Sequence, residues 1–391
     1  MFRIGQEEID AVARVINSGN LFKIHGGEIH EVERFQERLQ EKFDVKHAIL
    51  MTSGYGALES ALIGMGIGPG DEVIVPAYTY IATAMAVVGV GAVPVIAEVN
   101  ETLTLDPEDF ERKITPNTKA VIPVHIQGFP SEMDKIMEIA NKNNVLVLED
   151  ACQADGGSYK GKRLGTIGDA GALSFNFFKI ITCGEGGALL TNNREFFERA
   201  LIYQDSSGVA FFGDQMQNFS NEVFCGNEYR SNELCAAVLN VQLTRLESIL
   251  KALRTNKKYM MEKLQGICEF APSNDENGDC GIMLAFRFDN EEKARKFATY
   301  EGVKGSLPID ADRHLYKRWE PIMKKRGALH PLMDPFKMEA NKDIIPDYRD
   351  DMCPKSLDIL SRTVYIPVSA TSDRDVIDEK IEVIKKALCA M

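Results

Sequence analysis

The chain has 391 residues, of which 45% are hydrophobic and 26% charged, a composition typical of a globular protein and not of a disordered one. Its 58 acidic and 45 basic residues give a net charge of −13, which disfavours nucleic acid as a partner because a phosphate backbone attracts positive charge. We see no signal peptide, membrane-length apolar run, Cys-x-x-Cys pair or metal-ligand spacing, and therefore expect a cytoplasmic protein with neither a membrane partner nor a metal.

Apolar segments alternate with helical patterns between about residues 45 and 200. Strands are predicted at 47–52, 72–76, 93–99, 120–125, 145–149, 171–175 and 187–191. Helices are predicted between them, for example at 57–65, 81–90 and 131–143. Because these strands do not alternate apolar with polar residues, both faces of their sheet should be covered. The order predicts an α/β fold with a mostly parallel seven-stranded sheet flanked by helices.

The pattern changes in the C-terminal third of the chain. Residues 231–265 contain neither proline nor glycine and predict a long helix. A strand and two helices, at 281–288, 291–300 and 373–390, then predict a smaller α+β domain. A chain of this length usually divides into two domains, and we assign residues 1–250, with an N-terminal helical segment, to the large domain and 251–391 to the small one.

Three segments carry residues suited to one kind of chemistry. Lys179 follows a predicted buried strand and precedes a Gly-rich turn, where desolvation makes a lysine a useful nucleophile. The Gly-rich segment 52–58 joins a strand to a helix, and a helix N-terminus suits a phosphate. Asp150 stands at the carboxyl end of a strand, where it serves either a ligand or a helix cap. Each signal is weak by itself.

Taken together, these segments meet the requirements of pyridoxal 5'-phosphate. This cofactor needs a lysine for its aldehyde, an acid for its pyridinium nitrogen and hydrogen-bond donors for its phosphate. Its ring also needs a flat neighbour. Tyr80, which ends another predicted strand region, suits that place, although a core aromatic explains it equally well.

A series of motifs in fixed order narrows the interpretation. They are the segments 66–76, 79–83, 91–95, 123–128, 149–153, 165–169, 174–179 and 184–187. From about residue 5 to 388 the chain resembles the DegT/DnrJ/EryC1/StrS family of sugar aminotransferases. The resemblance implies a fold-type I pyridoxal-phosphate enzyme that works as a homodimer with active sites at the subunit interface.

The resemblance also assigns roles to individual residues. Lys179 falls on the family's Schiff-base lysine, Asp150 on the acid that pairs with the pyridinium nitrogen, and Gln153 on the neighbour of the ring hydroxyl. The stacking aromatic and the phosphate-binding positions fall on Tyr80, Gly54, Tyr55 and Ser174. Position 55 is usually threonine, so only the backbone amide of Tyr55 carries over.

One departure affects the expected contact between subunits. The family pattern Gly-x-Asn-x-Arg places an asparagine on the partner subunit's cofactor phosphate, whereas this chain reads Gly-Asn-Glu-Tyr-Arg over 226–230. Glu228 occupies the asparagine position, and a carboxylate beside a phosphate is unfavourable unless it is protonated or turned away. Either Asn227 takes over through a backbone shift, or the contact is lost.

The resemblance implies transfer of an amino group from an amino acid, glutamate by family habit, to the carbonyl of a nucleotide-linked keto-sugar. Lys179 would act as general base and acid. Alternatives are an 8-amino-3,8-dideoxy-octulosonate-type transaminase, an enzyme for cyclitol ketones, a sugar dehydratase of the same fold, and a non-catalytic regulatory protein. The dehydratases carry histidine in place of the lysine, so Lys179 favours transamination.

Substrate contacts are harder to predict because they come from loops. Lys23, His25 and Arg313 are candidates for binding an anionic group. His125 stands at the end of a predicted strand near the expected cleft, where a packing role and a site role both remain open.

Overall fold

The computed structural model describes residues 4–24, 27–206 and 219–391. Its helices are α1 (Gln6–Ser18), α2 (Glu31–Phe43), α3 (Gly54–Gly64), α4 (Ala82–Gly89), α5 (Pro107–Arg112), α6 (Met133–Asn143), α7 (Arg194–Gln204), α8 (Glu233–Leu264), α9 (Glu291–Ala298), α10 (Glu320–Met323), α11 (Pro354–Ser361) and α12 (Arg374–Cys389). Its strands are β1 (His47–Met51), β2 (Glu72–Pro76), β3 (Val93–Ala97), β4 (Thr118–Val121), β5 (Leu146–Asp150), β6 (Ser158–Tyr159), β7 (Lys162–Arg163), β8 (Ala170–Ser174), β9 (Gly187–Thr191), β10 (Glu269–Phe270), β11 (Met283–Arg287) and β12 (Thr363–Pro367). None of the helices in these ranges is long and apolar enough to cross a membrane.

The main sheet has seven strands in the order β1-β9-β8-β5-β4-β2-β3. Strand β9 runs antiparallel to both its neighbours, and the other pairings are parallel. Every residue of β2, β8 and β9 is buried, which explains why these strands lack an apolar-polar alternation. The prediction of a mostly parallel seven-stranded sheet flanked by helices is confirmed.

Helix α3 begins directly against the sheet. Ser53 caps it, since its hydroxyl accepts a hydrogen bond from the Gly56 backbone N–H (3.0 Å). Gly54 leaves no room for a side chain: a Cβ there would lie 2.8 Å from Cys152 Sγ and 2.9 Å from Ser174 Cβ. This close approach brings the helix N-terminus to the carboxyl ends of β5 and β8.

The C-terminal third forms a smaller α+β region, as predicted. Its antiparallel sheet has the order β10-β11-β12, and the predicted domain boundary near residue 250 falls inside α8, so the boundary stays a prediction. Part of this region returns to the main sheet, because the Thr79 N–H donates to the His314 carbonyl (2.8 Å) and the Tyr316 N–H to the Ala77 carbonyl (3.0 Å). Side chains from the last third therefore reach the edge of the main sheet.

Candidate active site

A cavity of about 740 Å³ lies at the carboxyl ends of the central strands, where open α/β sheets bind their ligands. Seven of the eight residues proposed from the sequence line it, namely Gly54, Tyr55, Tyr80, Asp150, Gln153, Ser174 and Lys179. The eighth, Asn227, is not among the lining residues. The site is thus assembled from α3, β5, β8 and the turns that follow β2 and β8.

Asp150 is a nearly buried carboxylate with two hydrogen-bond donors around it. The Thr83 hydroxyl donates to Asp150 Oδ2 (2.7 Å), and the Cys152 backbone N–H donates to Oδ1 (3.1 Å). The Thr79 hydroxyl lies 2.8 Å from the Thr83 hydroxyl and supports it. A carboxylate has about four acceptor positions, so Asp150 can accept a further N–H from a ligand.

Lys179 is half-buried in the turn that follows β8. Its backbone N–H donates to the Asn176 carbonyl (3.0 Å), which holds the turn. Over the described residues, no hydrogen bond or ion pair engages its amine. The positive charge nonetheless acts on its surroundings, since it helps to lower the pKa of His314 and opposes the burial that raises the pKa of Asp155. The amine is therefore available to a ligand in the cavity.

The first turn of α3 offers donors for an anion. The leading N–H groups of a helix have no acceptor within the helix, and those of Gly54 and Tyr55 lie at the cavity together with the Ser174 side chain. The Tyr55 side chain points elsewhere: burial, followed by the charge of Glu59, raises the pKa of its phenol. The phenol lies against Gly89 and close to Glu59, since a Cβ added to Gly89 would touch both Tyr55 Oη and Glu59 Oε1. Only the amide of Tyr55 is thus placed to meet an anion.

Gln153 and His314 form a hydrogen-bonded chain along the cavity wall. The Gln127 backbone N–H donates to Gln153 Oε1 (3.1 Å), so the amide nitrogen of Gln153 faces His314 Nε2 at 3.3 Å and donates to it. Burial, and then the charges of Lys179 and Arg313, lower the pKa of His314 to about 4. The imidazole is therefore neutral at pH 7 and accepts this hydrogen bond.

Asn227 and Glu228 contact side chains that do not line the cavity. The Asn227 side-chain nitrogen donates to the phenols of Tyr203 (2.8 Å) and Tyr229 (3.1 Å). Glu228 is ion-paired with Arg230 (2.8 Å). Both amide hydrogens of Asn227 are thereby used within its own chain, and its role at a phosphate stays a prediction.

The remaining candidates divide between the cavity and the fold. Arg313 lines the cavity, whereas the Lys23 amine is paired with Asp205 (3.0 Å) and His25 lies outside the described residues. His125 is fully buried: its Nδ1 accepts from the Ser131 N–H (3.1 Å), and its Nε2 lies 3.0 Å from Glu149. Both ring nitrogens serve the fold, so the packing role applies to His125.

Sequence reasoning assigned no role to Thr83, Gln127 or His314. The first two lay inside matched motifs, at 79–83 and 123–128, but nothing local indicated their partners. Gln127 has a positive φ of 50°, a conformation rare for a residue with a side chain. His314 approaches Gln153 from 161 positions away in the chain, and a local pattern carries no information on such a contact.

Comparisons with known proteins identify the family of the chain. A model of the DegT/DnrJ/EryC1/StrS aminotransferase family matches residues 3–305. The chain is 41% identical over 240 residues to the dTDP-3-amino-3,4,6-trideoxy-alpha-D-glucose transaminase of Streptomyces venezuelae (61% of this chain, 60% of the relative). It is 41% identical over 222 residues to the GDP-perosamine synthase of Caulobacter vibrioides (56% of this chain, 58% of the relative).

These matches span about three fifths of the length of the two relatives. Similarity in structure extends further. The crystal structure of S. venezuelae DesV in complex with a ketimine intermediate has a TM-score of 0.76 and 28% sequence identity, and the alignment covers 98% of this chain and 94% of that one.

Proposed function

Because this chain belongs to the DegT/DnrJ/EryC1/StrS aminotransferase family, we propose that it is a pyridoxal-phosphate-dependent aminotransferase acting on a sugar. It takes the amino group from an amino acid, glutamate, and delivers it to the carbonyl of a nucleotide-linked keto-sugar. The observation that carries the proposal is the unengaged amine of Lys179 in the same cavity as the carboxylate of Asp150. The nucleotide-linked acceptor is supported by the names of the two relatives, a dTDP-sugar transaminase and a GDP-sugar synthase.

The cavity residues fit pyridoxal 5'-phosphate. Free first-turn amides of α3 and the Ser174 hydroxyl would hold the phosphate, and the spare acceptor positions of Asp150 suit a protonated ring nitrogen. Lys179 would hold the aldehyde carbon, and Tyr80 would lie against the ring. When bound, this cofactor supplies an aromatic ring that accepts electrons from the amino donor.

The chain's own groups then hold and move protons. Lys179 Nζ removes the proton from the α-carbon of the amino donor and returns a proton later in the cycle, as general base and acid. The Asp150 carboxylate would keep a proton on the ring nitrogen, and the Thr83 hydroxyl and the Cys152 amide fix the orientation of this carboxylate. Gln153 is held from both sides by Gln127 and His314, so it can orient a ring hydroxyl.

Arg313 is the lining cation suited to a substrate carboxylate. Its guanidinium fits the carboxylate of an amino-acid donor. The same observation keeps a second acceptor class open, a free acidic sugar such as the octulosonate type, since Arg313 would bind its carboxylate equally well.

The proposal includes a cytoplasmic homodimer with shared active sites. All eight cysteines carry free thiols, which fits a reducing compartment. The homodimer rests on the family resemblance, in which a partner subunit completes the phosphate site.

The test is the absorbance spectrum of the purified protein with pyridoxal phosphate. We expect a yellow band that borohydride bleaches, and a borohydride-fixed adduct on Lys179 by peptide mass spectrometry. Lys179→Ala should lack both, whereas the control Lys162→Ala, at an exposed position of strand β7, should keep them. Glutamate should then shift the band, because the amino group moves onto the cofactor.

Other outcomes would refute the proposal. A protein that stays colourless with the cofactor would be a non-catalytic relative. Turnover of a nucleotide-linked keto-sugar without any amino donor would indicate a dehydratase.

A further inference from the structure

A second cavity of about 480 Å³ adjoins the first. We call it the annex and define it by Tyr78, Ser306, Leu307 and Tyr365. Gln127 and His314 line both cavities and form the junction between them. The annex has the size of a small-molecule site, and the function proposed above makes no use of it.

The annex contains a buried hydroxyl that no described residue meets at full hydrogen-bond geometry. Tyr365 is 3% exposed, and none of the described residues forms a hydrogen bond with its Oη. Burial, and then the interaction with the neighbouring Tyr78 hydroxyl, raise the pKa of Tyr365, so the two phenols face each other in the annex. Leaving a buried hydroxyl unpaired is costly, so such groups are almost always satisfied by water or a ligand. The expected partner is therefore an oxygen atom inside the annex.

The charges at the annex cancel one another. Its two ionic side chains are Arg295 and Asp310, which are joined by two hydrogen bonds of 2.7 and 2.9 Å. His314, which also lines the annex, is neutral at pH 7, since its pKa lies near 4. Among the described residues that line it, the annex therefore offers no spare positive charge for a phosphate or carboxylate, and it suits uncharged hydroxyl groups.

The junction is built from a strained residue. Gln127 has φ of 50°, which is tolerated at functional sites when the surroundings hold it in place. Its backbone N–H is used by Gln153 (3.1 Å), whereas its side-chain amide makes no hydrogen bond with the described residues. The side-chain amide of Gln127 therefore offers one donor group and one acceptor to a ligand at the junction.

We propose that the annex is a second part of the acceptor site, which holds hydroxyl groups of the sugar while its reacting carbon lies at Lys179. Tyr365, Tyr78 and the Gln127 amide are its polar contacts. This inference rests on the proposed function, and it limits the annex to the sugar and excludes the charged diphosphate of the nucleotide.

The test uses the loaded enzyme and the reverse half-reaction, with GDP-perosamine and dTDP-3-amino-3,4,6-trideoxy-D-glucose as amino donors. Tyr365→Phe removes only the unpaired hydroxyl, and we expect the KM for the reacting amino sugar to rise about 3- to 10-fold, with kcat within about twofold. Glutamate has no hydroxyl group and should react unchanged. Tyr159→Phe is the matched control, because Tyr159 is 4% exposed and lines neither cavity.

Stability separates a binding role from a structural one. Because no described residue meets Tyr365 Oη at full hydrogen-bond geometry, Tyr365→Phe should leave Tm within about 2 °C of the wild type. Tyr78→Phe provides a second variant of the same annex, with a rise in the same KM expected.

Two results would overturn the annex as a sugar site: an unchanged KM in Tyr365→Phe, or a wild-type enzyme that reacts with glutamate but with neither amino sugar. Failure of the wild type to react with glutamate would instead refute the aminotransferase itself.

Discussion

Two neighbouring carboxylates at the end of β5 have opposite surroundings. Glu149 is fully buried and accepts hydrogen bonds from three backbone amides of segment 165–168, at 2.5 to 2.9 Å, and from His125. Asp150 points to the other face of the strand, where it accepts from one hydroxyl and one amide and lines the cavity. The four acceptor positions of Glu149 are all used by the fold, whereas Asp150 can still accept hydrogen bonds from a ligand.

Two histidines repeat the contrast. His125, on the buried face, has both ring nitrogens engaged by Glu149 and the Ser131 amide. The ring of His314, on the cavity face, makes one hydrogen bond with the described residues, to Gln153, and lies beside the Tyr80 ring, 5.5 Å between centroids. Fully satisfied polar groups define the fold at this strand end, and partly satisfied ones are left for ligands.

The largest effect should come from Asp150→Asn. An amide cannot hold a proton on the ring nitrogen, so kcat/KM should fall by about 10²- to 10⁴-fold. Unfolding should change little, because asparagine can keep the contact with the Thr83 hydroxyl. Steady-state kinetics and urea unfolding measure the two effects.

Asp169→Asn is the matched control, since Asp169 accepts from the Val147 backbone N–H (2.8 Å) and does not line the cavity. It should keep kcat and change stability little, because the oxygen of its amide can still accept from the Val147 N–H. Full activity in Asp150→Asn would show that Asp150 has no role in the mechanism. The two carboxylates would then not differ in function.

Glu149→Gln should produce the reverse pattern. It places an NH₂ group against backbone N–H donors, so we expect the free energy of unfolding to fall by about 2–4 kcal/mol. The protein that remains folded should keep its cofactor affinity and kcat within about threefold. Urea unfolding combined with cofactor titration checks this, and a selective loss of kcat at unchanged stability would contradict it.

Much of the sheet was predictable, because its strands are short apolar runs such as Glu72–Pro76 and Gly187–Thr191, which the sequence analysis bounded correctly. The boundaries moved by one to four residues where the pattern is less sharp. Residues 120–125 were predicted as a strand, and the observed strand is Thr118–Val121, because the chain then turns into the short helix at Ile126–Gly128.

The residues that line the cavity were predictable only where they are near one another in the sequence or belong to a motif. Lys179, Asp150 and Gln153 come from motifs and line one cavity. The return of residues 313–316 to the sheet was not predictable, because it depends on backbone hydrogen bonds to Ala77 and Thr79 from more than 230 positions away. Asn227 shows the same limit, since its two phenol partners decide where its amide points.

The smallest expected effect concerns pH and sharpens the contrast between the histidines. The pKa of His314 lies near 4, below its ordinary value of 6.5, because burial and the charges of Lys179 and Arg313 oppose its protonation. Above pH 6.5 the residue is neutral in both the folded and unfolded chain and contributes no pH dependence. As the pH falls from 6.5 to 4, only the unfolded chain takes up this proton, so stability falls by up to about 3 kcal/mol.

His314→Gln should abolish this part of the pH dependence, because glutamine does not titrate and can still accept from Gln153. The free energy of unfolding should be measured between pH 4 and 7 for wild type and variant, and their difference plotted. Taking the difference removes other groups, such as His47, whose pKa is also lowered by burial. A flat difference would mean that His314 is protonated as easily in the folded protein as in water, and that its ring is not held neutral for Gln153.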